Sequence, residues 1–157
     1  FFKIGTLGGK PDAFIAKELF DDYKSKYNYP RKGEILITCS GTVGKCLTYN
    51  GEEAYYQDSN IVWIDNSSLE IMNELLYYIL TNVNWGKLNS TTITRIYGSD
   101  LRNLKIVFPN DPAEQQIIAT LLTSLDDLIT AQSEKLEALK KHKKGLMQGV
   151  FPGAGET

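Results

Sequence analysis

Histidine and cysteine are nearly missing from these 157 residues, with one His and two Cys. Cys39 and Cys46 have neither the second pair nor the histidines that a zinc site needs, so they are expected as reduced thiols and no metal is expected. The lone His142 lies in a lysine-rich stretch, expected exposed and far from any nucleophile it could serve. No run approaches the ~20 apolar residues of a membrane span, and no basic, apolar leader comes first. A cytoplasmic location is therefore expected, and a chain beginning at Phe1 reads as an excised piece. A phosphate loop is absent as well, because Gly5, Gly8 and Gly9 do not take the GxxxxGK[ST] spacing and Lys10 is followed by Pro11. Asn110-Asp111-Pro112-Ala113 lacks the second proline and the ring of an amino-methyltransferase motif. Nor is there an excess of positive charge: the net charge is -2, and residues 1–110 carry as many acids as bases. A DNA binder of this composition needs a local basic patch or a partner's charge.

What is present is dominated by residues 111–148, DPAEQQIIATLLTSLDDLITAQSEKLEALKKHKKGLMQ. Asp111 can cap, Pro112 fits the first helical position, and Glu114 completes a capping box. Ile118, Leu125, Leu139 and Leu146 recur at sevens, with Leu121, Leu122, Leu128, Ile129 and Leu136 beside them in one stripe. Acids gather near the front and Lys140 to Lys144 near the end, as the helix dipole prefers. A helix of this size is roughly 55 Å long at 1.5 Å per residue. Its apolar seam asks for a partner, either another molecule or another part of the same one; the bland alternative folds it back onto the domain, with Gln132 or Gly145 as the bend.

Ahead of it the expected organisation is one small domain, residues 1–110, followed by the helix, 111–149, and a tail, 150–157. Phe14, Ile15, Leu19 and Phe20 suggest a short helix over 12–22. EILITCS over 34–40 reads as a buried strand, 45–49 as its return after a Gly-Thr-Val-Gly turn, and NIVWI over 60–64 as a third. Residues 69–80 carry helical spacing, 100–103 a short turn and 104–108 a final strand. The class is α+β: a small mixed, largely antiparallel β domain with short helices, then one long coiled-coil helix. Tyr23 to Lys32 interleaves Lys24, Lys26, Arg31 and Lys32 with three tyrosines and no acid, a pattern of nucleic-acid contact that ordinary solvated loops also produce. Residues 89–99, NSTTITRIYGS, offer donors of the kind that meet phosphates and base edges, though edge strands look alike.

Four stretches together resemble the specificity subunit of type I restriction-modification systems, as one target recognition domain plus one spacer helix. They are IGTLGGKP, PRKGEILITCSGTVGK, ITRIYGSDLRNLKIVFP, and PAEQQIIATLLTSLDDLI leading into KLEALKKHKKGLMQGVF. The front departs from the family's Gly-x-Thr-Pro pattern at Leu7 and Gly9-Lys10. The resemblance implies double-stranded DNA as ligand. It implies a methyltransferase and a restriction subunit as partners, which would carry S-adenosylmethionine and ATP, so this chain itself needs no cofactor and is no enzyme. It also implies antiparallel pairing of the seam, in a homodimer or with a second recognition half. On that reading Lys24, Lys26 and Arg31 hold phosphates, and the bases are read from Ser40, Thr42, Lys45, Gln57, Ser59, Asn60, Thr91, Thr92, Arg95 and Tyr97. Two other classes stay open: a coiled-coil assembly adaptor that never touches DNA, and the recognition domain of a fused restriction-methylation enzyme.

Overall fold

The computed structural model describes residues 1, 3–54, 58–87 and 95–150. It divides into two compact units, Phe1–Ile117 and Ile118–Thr157.

The first unit is built on a three-stranded antiparallel sheet in the order β2-β1-β3, with β1 at Ile35–Thr38, β2 at Cys46–Thr48 and β3 at Ile61–Ile64. Leu36 stands opposite both Leu47 and Trp63, so these three share a face. On that face Leu36 packs with Leu7, Tyr49, Ala54 and Ile61, and Leu47 and Trp63 border the cluster. Strand alternation sends Ile35 and Ile37 to the other face. There α2, Asn73–Thr81, covers β1 and β2 with buried Leu75, Leu76 and Leu80. All four residues of β1 are buried, as a central strand covered on both faces should be.

Two expectations shift. The first helix, α1, runs over Lys17–Lys26 instead of 12–22. Phe14 is 82% exposed, and the amino group of Phe1 donates to Ala13 O at 2.7 Å, tethering the backbone ahead of the helix. Lys17 pairs with Asp21 one turn on, and only Phe20 is buried, so the helix that forms has a single apolar anchor. The expected strand over 104–108 is not one: after the short α3, Gly98–Asn103, residues 104–109 carry no regular structure. Their burial does alternate, with Val107 91% exposed, yet alternation without a ladder partner is only an extended segment.

The second unit belongs to α4, a helix of 39 residues from Pro112 to Val150 whose first turn counts with the first unit. Asp111 caps it as expected, its Oδ1 accepting from Ala113 N–H at 2.9 Å.

Candidate nucleic-acid interface

Because β1 and β3 run antiparallel, the end of β1 meets the beginning of β3, and Cys39 N–H donates to Asn60 O at 2.7 Å. A third segment joins there. Arg95 bridges to Ser40, and Ile96 N–H donates to Cys39 O at 2.8 Å. Four of the expected site residues, Ser40, Ser59, Asn60 and Arg95, are thus gathered from three distant stretches at one end of the sheet.

Their side chains form one network. Asn60 Oδ1 accepts from Ser40 Oγ at 2.7 Å and from Arg95 Nη1 at 3.2 Å, while Arg95 Nη2 donates to Ser59 O at 2.7 Å. The amide orientation of Asn60 is fixed from the other side, since its Nδ2 donates to Asp58 Oδ1 at 2.8 Å. Asp58 also accepts from Asn60 N–H, and its second oxygen accepts from Ile4 N–H at 3.2 Å, tying in the amino-terminal segment. Hydrogen bonds to charged groups are each worth about 1.5–3 kcal/mol, so the half-buried guanidinium is held in place. A guanidinium has five N–H donors, and among the described residues these contacts use two of them.

Thr42 and Lys45 belong to the turn that joins β1 to β2. Gly44 N–H donates to Thr38 O at 2.8 Å, Lys45 N–H donates to Thr38 Oγ1 at 3.0 Å, and that hydroxyl donates to Thr42 O. Gly44 has φ +80, and a Cβ there would lie 2.1 Å from Trp85 Cδ1. Trp85 is buried and donates from Nε1 to Leu80 O at 3.2 Å, so the indole braces the turn from behind. Lys45 is exposed, and its ammonium donates to Leu7 O at 2.9 Å. Tyr97 is exposed too; its N–H donates to Asp100 Oδ2 at the start of α3, which leaves the ring in solvent.

A second group surrounds a cleft of about 800 Å³ lined by Lys24, Tyr27, Arg31, Lys32 and Trp63, among others. Lys24 Nζ rests 4.9 Å from the Tyr29 ring centroid. Tyr29 is held in turn, its hydroxyl bonded to Ala54 at both N–H and carbonyl. Lys26 pairs with Asp22 at 2.7 Å on the exposed face of α1, where such a pair is worth little, and it does not line the cleft. Arg31 and Lys32 are exposed, and among the described residues neither makes an ion pair. The Arg31 backbone N–H donates to buried Glu34 at 2.7 Å, which fixes the bend where the cations sit. Gln57, Thr91 and Thr92 lie outside the described residues.

Burial pushes the Cys46 thiol up to about 11 and raises Cys39 as well, the nearby Arg95 charge opposing the second shift. Three structural residues escaped the sequence reading. Asp58 left a faint signal in its Asx-type spacing to Asn60; Trp85 left none; and Gln115, inside the quoted stretch PAEQQIIATLLTSLDDLI, ties α4 down through bonds described below.

Along the second unit the seam is exposed. Leu121, Leu125, Leu128, Ile129, Leu136, Leu139 and Leu146 keep between 50% and 63% of their surface open, while Ile118 and Leu122 are half-buried. No helix among the described residues is long and apolar enough to cross a membrane.

Known proteins resemble this chain over most of its length. A family model described as "Type I restriction modification DNA specificity domain" matches residues 1–141. A Haemophilus influenzae protein named for a type I restriction enzyme specificity subunit, S.HindORF215P, is 46% identical over 136 residues, covering 87% of this chain and 35% of its own. The type I restriction enzyme MjaIX specificity subunit of Methanocaldococcus jannaschii is 30% identical over 126 residues, covering 76% of this chain and 28% of its own. This chain therefore spans about a third of the length of these relatives. No solved structure matches it. On the family match and the 46% identity, the chain belongs to the type I restriction-modification DNA specificity domains.

Proposed function

We propose that this chain reads one half of a bipartite DNA target within a type I restriction-modification complex and docks the methyltransferase and restriction subunits there. In this reading residues 1–110 are the target recognition domain, 111–149 the spacer and pairing helix, and 150–157 a tail. The complex works in the cytoplasm, and the chain contributes recognition while its partners bring S-adenosylmethionine, ATP and the chemistry. The observation that carries it is the convergence of Ser40, Ser59, Asn60 and Arg95 on one end of the sheet, beside the braced turn bearing Thr42 and Lys45.

Two kinds of contact are divided between the two groups. Arg95, Thr42 and Tyr97 are the base readers among the described residues. Asn60 and Ser40 serve by holding Arg95, because the Asn60 amide is engaged at both its oxygen and its nitrogen. Lys24, Lys26 and Arg31 meet phosphates, each adding roughly one to the salt slope.

The test is methylation of a random duplex library by the complex of this chain with its methyltransferase subunit. A short enriched sequence is expected, and Arg95→Ala should relax it at one position by about 1–3 kcal/mol, roughly five- to 150-fold. Unchanged preference in Arg95→Ala removes that residue from the base readers; no preference in the wild-type complex contradicts the proposal. The exposed seam also fits a pure assembly adaptor, which would pair with no DNA contact at any salt.

A further inference from the structure

Among the described residues Gln115 is the most buried side-chain amide, with 1% of its surface exposed, on a helix turn whose neighbours Glu114 and Gln116 are open to solvent. Its backbone N–H makes an early bond of α4, to Asp111 O at 3.0 Å. Its side chain reaches sideways. Oε1 accepts from Met72 N–H at 2.8 Å, and Nε2 donates to Pro109 O at 2.8 Å and to Glu70 O at 3.0 Å. Met72 is the N-cap of α2 and has no side-chain cap of its own, so the Gln115 oxygen satisfies a donor at the head of that helix. One amide thus joins the segment entering α4, the segment entering α2, and α4 itself.

An apolar residue would fill the same space while removing the partner of three part-buried backbone groups. Hydrogen bonds are directional where apolar contact is not, so three of them around one amide fix the first turn in angle as well as in place. The helix then continues unbroken from Pro112 to Val150, past the point at which the second unit begins.

We infer that Gln115 is a positioning residue that locks the head of α4 into the recognition unit and so fixes the spacing between the two DNA half-sites that the complex accepts. This rests on the reading above for its DNA consequence, whereas the lock itself does not.

Two measurements test it. In amide exchange on the full chain, Met72 is protected, and Gln115→Met accelerates its exchange at least tenfold while the β1 amides of Ile35, Leu36 and Ile37 keep their wild-type rates. In methylation of duplexes whose half-sites are separated by a graded series of base pairs, the wild-type complex accepts one separation; Gln115→Met accepts two or more with the half-sequences unchanged. Gln115→Glu keeps the acceptor for Met72 but loses both donors, so it broadens the accepted separations with the Met72 amide still protected. A Met72 amide that exchanges freely in the unaltered chain overturns the lock without any variant. Single spacing retained at wild-type rate in both variants overturns the positioning role. A wild-type complex with no split target at all refutes the DNA reading, and the exchange result still decides the lock.

Discussion

A Cβ at Gly44 would collide with an indole that is itself pinned by its own hydrogen bond, so neither partner can yield. Gly44→Ala adds backbone strain at positive φ to that overlap, and the expected loss is about 2–5 kcal/mol, read as a lower urea midpoint. A midpoint within error of wild type would mean that Trp85 moves freely. The thiols give a second expectation at this scale. Cys46 is raised by burial from the ordinary 9.0 to about 11, so the folded form holds the proton more tightly than the unfolded one. Its contribution is complete below pH 9.0 and is lost as pH climbs to about 11. Cys46→Ser should flatten that part of the stability-pH curve, and an unchanged alkaline slope would contradict it.

For α4 the test is Leu125→Glu with Leu139→Glu. Both side chains are at least half exposed in the single chain, so the substitutions cost the isolated helix little and a paired helix much. Light scattering should report a dimer for the wild type and a monomer for the variant, with heat stability lowered; equal masses would show that the seam does not pair. Legibility differed among elements for a physical reason. Strand β1 and helices α2 and α4 carry their own signals, apolar alternation in one and helical spacing or an Asp-Pro cap in the others, so they could be read locally. Helix α1 has one buried anchor, Phe20, so periodicity marks its bounds only faintly. The extended segment 104–109 has the alternation of a strand, but whether a ladder forms depends on a neighbour elsewhere in the fold. The site was legible as residue types and not as an arrangement: Ser40, Asn60 and Arg95 were candidates separately, while the Asp58 clamp and the Trp85 brace exist only through long-range contacts.

The whole chain is close to neutral, with a net charge of -2, although its candidate interface is rich in Lys and Arg. On the proposed reading, phosphate neutralisation by this chain alone is limited to a few cations, which would give weak binding with a shallow salt slope that a partner's basic surface reinforces. The chain spans about a third of the length of the specificity subunits that it resembles. The most direct test of this account is a salt titration of DNA binding by the purified chain, with and without the methyltransferase subunit. The account predicts sequence-selective binding only when that subunit is present, with a log-log salt slope that falls by roughly one for Arg31→Ala. Pairing through α4 with no DNA binding under either condition would contradict it.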